Sequence, residues 1–158
     1  MSVRVKFLLC LSLIITALCN ISYGQSKEYL IKKNQKLSKP SPFESIIDDP
    51  SNREIVYDDG VVVAFEPLRK QAPVHLLIVP KKRIPTINEL DEEKVMIQLF
   101  RAAKHLAKEY GISETGYRLS VNTNEDAGQS VFHLHVHLLG GMTLGPMMDQ
   151  TYQDGKND

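Results

Sequence analysis

Short stretches of alternating or continuous hydrophobic residues, separated by turn residues, run through the middle of the chain. Five of them predict β-strands, at residues 54–58, 61–66, 74–79, 117–123 and 133–139. The first two strands meet at Asp58-Asp59-Gly60, which is typical of a tight hairpin turn. The third strand ends at Pro80, because proline cannot donate a hydrogen bond within a sheet.

One longer segment has the spacing of an amphipathic helix. Asp91 is placed to cap its first turn, where Glu92 and Glu93 complement the helix dipole, and Gly111 ends it. Its apolar positions recur every three or four residues, at Val95, Leu99, Ala102, Ala103, Leu106 and Tyr110. Five strands around one long helix, joined by short turns, predict an α+β fold with an antiparallel meander sheet rather than a doubly wound one.

The first 24 residues have the layout of a secretory signal peptide. Arg4 and Lys6 precede an apolar run over residues 7–18, and Ser22-Tyr23-Gly24 is an acceptable cleavage site. The prediction is an exported protein, periplasmic or secreted, without stable membrane insertion after cleavage. Two alternatives stay open. The first is a retained anchor, although the run is shorter than the roughly 20 residues of a spanning helix. The second is a lipoprotein modified at Cys19, although Leu18 stands where a small residue is expected.

The remaining chain divides into a linker, one domain and a tail. Residues 25–42 carry five lysines and end in Pro40-Ser41-Pro42, which predicts a flexible linker, with an anionic docking segment as the alternative. Residues 43–148 form the predicted domain, and the polar residues 149–158 predict a disordered tail.

Composition narrows the function classes only modestly. The 158 residues allow one ordinary domain, and 42% hydrophobic residues suffice for a buried core. Lysine plus arginine equals aspartate plus glutamate, 19 of each, so the overall charge does not favour nucleic acid as a partner. Both cysteines, Cys10 and Cys19, lie in the predicted signal peptide, so the mature chain would have no internal disulfide.

The residues most suggestive of chemistry are three histidines in the last predicted strand. Strand side chains alternate between faces, so His133, His135 and His137 share one face, opposite an apolar row of leucines and a valine. A metal site is one interpretation. However, residues two apart in a strand lie roughly 6.6 Å apart, whereas zinc ligands lie about 2.1 Å from the ion. The other interpretation is nucleophilic attack on phosphorus, since a neutral imidazole is a competent nucleophile.

The segment His133-Leu134-His135-Val136-His137-Leu138-Leu139 resembles the signature of the histidine triad (HIT) family, and the resemblance extends over residues 43–141. Gln71–His75 and Ile78–Lys82 are similar to the central strand of that family. Gly128–Phe132 and Gly140-Gly141 are similar to its Hint branch, the nucleoside phosphoramidases. The resemblance implies a five-stranded antiparallel sheet with one long and one short helix. It also implies a homodimer with a ten-stranded sheet.

The resemblance further implies roles for the histidines. His135 would attack the α-phosphorus and form a nucleotidyl-histidine, and the backbone carbonyl of His133 would orient His135. His137 would donate to phosphate oxygens, and His75 would complete the cluster from the neighbouring strand.

Other positions are assigned to substrate by the same resemblance. Asn122, Gln129 and Ser130 would contact phosphate, with Ser130 also assisting the leaving group, and Leu68 joins the substrate-binding set. Pro67 departs from the family, which carries an acid there for the ribose hydroxyls, while Glu66 is one place earlier and would point to the other face of the strand.

The resulting prediction is an enzyme that hydrolyses a nucleotide phosphoramidate or related phosphate ester without metal or cofactor. Two alternatives stay open. One is a catalytically idle nucleotide-binding module. The other is a metal-binding protein that uses His133, His135 and His75.

Overall fold

A five-stranded antiparallel sheet forms the centre of the molecule, whose computed structural model describes residues 24–49, 51 and 53–146. The strands are β1 (Ile55–Asp58), β2 (Val62–Phe65), β3 (Val74–Pro80), β4 (Tyr117–Ser120) and β5 (Val136–Gly140). The helices are α1 (Lys27–Leu37), α2 (Glu44–Asp48) and α3 (Glu93–Glu109). A 3-10 turn, Ile87–Glu89, precedes α3. The predicted tail and all but residue 24 of the predicted signal peptide lie outside the described residues.

The strands lie in the order β1-β2-β3-β5-β4, and every neighbouring pair is antiparallel. The predicted α+β class with five antiparallel strands is therefore confirmed. The order departs from a simple meander because α3 carries the chain across the sheet, so that β4 takes the edge. As a result β5 lies between β3 and β4. In the β3–β5 pairing His75 stands opposite Leu139, and Leu77 stands opposite His137.

Helix α3 covers one face of the sheet with the apolar stripe that the sequence predicts. Its inward residues are buried against strand residues such as Leu76, Ile78 and Leu138. The helix begins at Glu93 with Glu92 as the N-cap residue, so the predicted cap, Asp91, is one residue too early. Glu92 makes no capping bond, because its carboxylate bonds the ammonium of Lys82.

The opposite face of the sheet carries a smaller apolar cluster and the histidines. Phe43, Val63, Phe65, Leu77 and Val79 are buried together there, with α2 packed beside them. Because side chains alternate along β3 and β5, each strand sends one set of side chains to each face of the sheet. One set packs in the core under α3, and the other set lies on the face that carries α2 and the histidines.

The last predicted strand starts later than expected. Strand β5 begins at Val136, so His133 and His135 precede it rather than lying within it. The backbone N–H of Leu134 bonds the carbonyl of Ile84, 2.6 Å away, which takes this segment out of the sheet ladder. Leu134 nevertheless packs in the core under α3, and the alternation of side chains continues through the segment.

The region predicted as a flexible linker, residues 25–42, differs most from the expectation. Residues Lys27–Leu37 form α1, capped by Ser26, whose hydroxyl accepts from the backbone N–H of Tyr29 at 3.2 Å. Its contacts are with distant residues. Ser26 donates twice to Glu125, and the Tyr29 ring meets the Phe132 ring edge to face, with centroids 5.8 Å apart. Its sequence lacks a strong apolar stripe, and accordingly none of its residues is buried.

Among the residues that the structure describes, no helix combines the length and the apolar character needed to cross a membrane.

Candidate active site

Four histidine rings converge on the sheet face opposite α3. The ring centroids of His135 and His137 lie 5.1 Å apart, and those of His75 and His137 lie 5.2 Å apart. Phe43 packs against this group, with its ring centroid 5.7 Å from that of His133 and 5.2 Å from that of His135. Strand pairing thus joins the row predicted from sequence to the histidine of β3.

The orientation of His135 follows from one hydrogen bond. Its Nδ1 lies 2.8 Å from the backbone carbonyl oxygen of His133. A carbonyl only accepts, so Nδ1 carries the hydrogen, and in the neutral ring the lone pair is on Nε2. This contact is the one that the family resemblance implies for His133.

A second chain of bonds fixes His75 and His137. The backbone N–H of Gln71 donates to Nδ1 of His75 at 3.1 Å, so in neutral His75 the hydrogen is on Nε2. That Nε2 lies 2.9 Å from Nδ1 of His137 and donates to it. Neutral His137 consequently carries its hydrogen on Nε2. This series of hydrogen bonds therefore ends at the Nε2–H of His137, a donor that can bind an anionic oxygen.

The His133 side chain has a different environment. It is fully buried, and its Nε2 donates to the carbonyl of Pro80 at 2.7 Å. Its Nδ1 is buried without a hydrogen-bond partner. The imidazole therefore anchors this segment to the end of β3, while its backbone carbonyl serves His135.

Burial keeps all four rings neutral. Desolvation is the largest cause that lowers the pKa of His75, His133 and His135. Desolvation, followed by repulsion from His135 and His75, lowers the pKa of His137 to about 4. The cluster is therefore uncharged at neutral pH and offers one lone pair and one N–H donor.

His135 and His137 open on a cavity of about 280 Å³. Asn122, Gln129 and Ser130 line it, as do Gln71 and Ser120 among others. The structure therefore brings these three predicted phosphate-binding residues to the same cavity as the two histidines.

The loop that carries these residues is held by side-chain bonds. The Gln129 amide donates to the carbonyls of Pro85 and Val131, at 2.9 and 3.1 Å, and its oxygen accepts from the backbone N–H of Asn124. Asn122 donates to the carbonyl of Ala127. Gln129 therefore shapes the loop with its whole amide, whereas Asn122 keeps one N–H and its oxygen for another partner.

Leu68 does not line the cavity of His135. Its side chain is 89% exposed, and with Pro67 and Glu66 it lines a separate cavity of about 470 Å³. Glu66 pairs there with Lys70 at 2.5 Å. Pro67, Leu68 and Glu66 thus line a different cavity from the one lined by His135 and His137.

Two contributors were not predicted from the sequence. The Phe43 ring shields His133 and His135, and the Gln71 backbone sets the tautomer of His75. Gln71 lies in a segment similar to the family, but a backbone donor has no residue preference to reveal it. Within the described residues, no three His, Cys, Asp or Glu side chains are grouped so as to hold a metal ion.

Comparisons with known proteins show the family of this chain. Residues 50–144 match the family model described as HIT domain. The purine nucleoside phosphoramidase of Escherichia coli (strain K12) is 42% identical over 114 residues, which cover 71% of this chain and 96% of that protein. The HIT family hydrolase structure from Legionella pneumophila Philadelphia 1 superposes with a TM-score of 0.64. It is 41% identical, and the match covers 67% of this chain and 96% of that chain. For the HIT family hydrolase from Clostridium thermocellum, the TM-score is also 0.64 at 42% identity, over 68% and 96% of the two chains.

Proposed function

This chain belongs to the HIT domain family, and from that premise we propose that it hydrolyses a nucleotide phosphoramidate or related phosphate ester through a covalent nucleotidyl-histidine. The observation that carries the proposal is the bond from Nδ1 of His135 to the carbonyl of His133. It leaves the lone pair of a neutral, buried imidazole on Nε2, in a residue that lines the cavity.

In the first step, Nε2 of His135 forms a bond to the α-phosphorus while the bond from phosphorus to the leaving nitrogen breaks. The nitrogen takes a proton from a water molecule through the Ser130 hydroxyl and departs as a free amine, and the hydroxide that remains is neutralised by the proton released in the second step. The ring of His135 becomes cationic. The carbonyl of His133 then stabilises the charged ring through a stronger hydrogen bond.

In the second step, water attacks phosphorus and the bond to His135 breaks, which returns the ring to its neutral form with the hydrogen still on Nδ1. A nucleoside monophosphate leaves, and the proton of the water goes to solvent. His137 donates from Nε2 to a phosphate oxygen in both steps. Its N–H stabilises negative charge that develops in the transition state.

The test is a hydrolysis assay with a nucleoside phosphoramidate whose amine is fluorescent. His135→Ala should lower kcat by several orders of magnitude, because no second group replaces the nucleophile. His105→Ala is the matched control, since His105 is exposed on α3 and pairs with Glu109. Its kcat should match that of the unmodified chain.

Two results would contradict the proposal. One is His135→Ala retaining more than about a tenth of the activity while His133→Ala does not. The other is nucleotide binding by the unmodified chain without turnover of any phosphoramidate. That result would favour the idle nucleotide-binding module instead.

A further inference from the structure

A second cavity adjoins the site of His135. Its volume is about 250 Å³, and Ser130 lines both cavities. Pro40, Pro42 and Phe132 give it apolar walls, and Lys36, Lys39 and Arg83 add three cationic side chains. A group bonded to a phosphorus atom beside His135 can therefore extend past Ser130 into this second cavity, which is lined by both apolar and cationic side chains.

Arg83 holds this cavity together. Its guanidinium donates to three backbone carbonyls, those of Phe132 at 3.1 Å, Lys39 at 2.7 Å and Lys36 at 3.2 Å. These bonds tie the end of α1 to the loop that carries Ser130. The edge contact of Tyr29 on Phe132 joins the same two segments. The walls are therefore positioned by tertiary contacts rather than by a free linker.

The charge of the cavity is positive. Lys36 donates to the carbonyl of Ser130 at 2.8 Å, which places its ammonium at the boundary between the cavities. The carboxylate of Glu44 lies 3.7 Å from the guanidinium of Arg83. In the described part of the chain, the ammonium of Lys39 has neither a hydrogen bond nor an ion pair. One cation is thus available to a ligand beside an apolar wall.

Two of the three cations come from outside the family match, whereas Arg83 lies within it. Lys36 and Lys39 precede residues 50–144, the segment that matches the HIT domain. The ammonium groups of Lys36 and Lys39 are therefore features of this chain's own N-terminal segment.

We propose that this second cavity is the leaving-group subsite and that it selects amines carrying a carboxylate. The inference rests on the proposed function, since it takes the phosphorus to lie beside His135. The apolar part of the amine packs against Phe132 and the prolines. Its carboxylate accepts from Lys39 in a charge-assisted hydrogen bond.

The test compares two nucleoside phosphoramidates that differ only in this charge, one made from tryptamine and one from tryptophan. The unmodified chain should have a kcat/KM roughly tenfold higher for the tryptophan substrate, which is the size of one charge-assisted contact. Lys39→Met should bring the ratio of the two kcat/KM values close to one, and Lys39→Arg should keep it.

Lys32→Met is the matched control, because Lys32 lies on α1 and pairs with Glu28 away from the cavity. It should leave the ratio as in the unmodified chain. A ratio near one in the unmodified chain, or the same ratio in Lys39→Met, would overturn the subsite while the hydrolase proposal stands. Failure to hydrolyse either substrate would overturn both.

Discussion

The protonation of the buried histidines follows from their neighbours one bond at a time. Gln71 fixes the tautomer of His75, His75 fixes that of His137, and the carbonyl of His133 fixes that of His135. Each ring is neutral because burial disfavours the charged form. The cluster is thus prepared to bind an anion through the Nε2–H of His137 and to attack it through the lone pair on Nε2 of His135.

The lowered histidine pKa values predict a stability that depends on pH. His137 has a pKa of about 6.5 in the unfolded chain, but the fold lowers this pKa to about 4. Between these values the unfolded state binds more protons, so the free energy of unfolding should decrease as the pH falls from about 6.5 to about 4. Urea unfolding at a series of pH values measures it.

His137→Gln removes one contributor and should make that pH dependence shallower. His75, His133 and His135 still act in the same direction, so part of the dependence should remain. A slope in His137→Gln equal to that of the unmodified chain would show that His137 is not held neutral by the fold.

Pro67 predicts weak sugar selectivity. Proline offers no side-chain acceptor for ribose hydroxyls, and Glu66 pairs with Lys70 in the cavity that does not contain His135. Ribose and 2′-deoxyribose substrates should therefore have similar kcat/KM values. Pro67→Asp should raise kcat/KM for the ribose substrate by roughly tenfold if about 1.4 kcal/mol of binding returns. Strong ribose selectivity in the unmodified chain would contradict this expectation.

At the residue scale, the local sequence pattern predicts which face of the sheet a side chain lies on, but it does not predict the hydrogen-bond partners of that side chain. A period of two is enough to place His135 and His137 on one face and Leu134 in the core. It cannot show that His133 bonds Pro80, 53 positions earlier in the chain, or that His75 bonds His137, 62 positions later. Those bonds depend on strand register, which the chain fixes only when the whole sheet forms.

Among the elements, β5 ends at a glycine that lies close to a buried side chain. A Cβ added at Gly140 would lie 2.7 Å from Cδ1 of Ile112, which is buried and follows α3 in the chain. Gly140→Ala should therefore destabilise the protein by about 1–3 kcal/mol, the usual cost of overpacking. Urea unfolding of the variant measures this free energy.

A double variant isolates the cause. Ile112→Val removes the atom that the new methyl group would meet, so Gly140→Ala should cost less in that background. Gly145→Ala is the control, because a Cβ there meets no atom within 4 Å. If Gly140→Ala costs the same with Ile112 and with Val, the close approach is not the reason for glycine at this position.

Helix α1 shows which elements sequence patterns miss. Helix α3 was predictable because six of its residues are buried on one stripe, whereas α1 has none. Its partners, Glu125 and Phe132, lie about a hundred residues along the chain from Ser26 and Tyr29. Helix formation there depends on tertiary contacts more than on local periodicity.

The molecule as a whole leaves apolar surface on α3 uncovered. Met96, Ile97 and Phe100 are exposed on its outer side, and β4 is an edge strand with one free side. Unpaired edges and apolar patches favour association with another copy. We therefore propose the homodimer that the family resemblance implies.

Light scattering should give twice the mass of one chain at micromolar concentration, and Phe100→Lys should shift the protein toward monomer. Lys104→Ala, at an exposed charged position of the same helix, should not. A clean monomer of the unmodified chain would contradict the homodimer.

The central claim is that His135 forms a covalent bond to phosphorus, and the stereochemistry at phosphorus tests it most directly. A phosphoramidate of defined chirality at the α-phosphorus would be hydrolysed in isotopically labelled water, and the product configuration determined. Two successive displacements, first by Nε2 of His135 and then by water, predict retention of configuration. Inversion would mean that water attacks the substrate directly, and it would contradict the account.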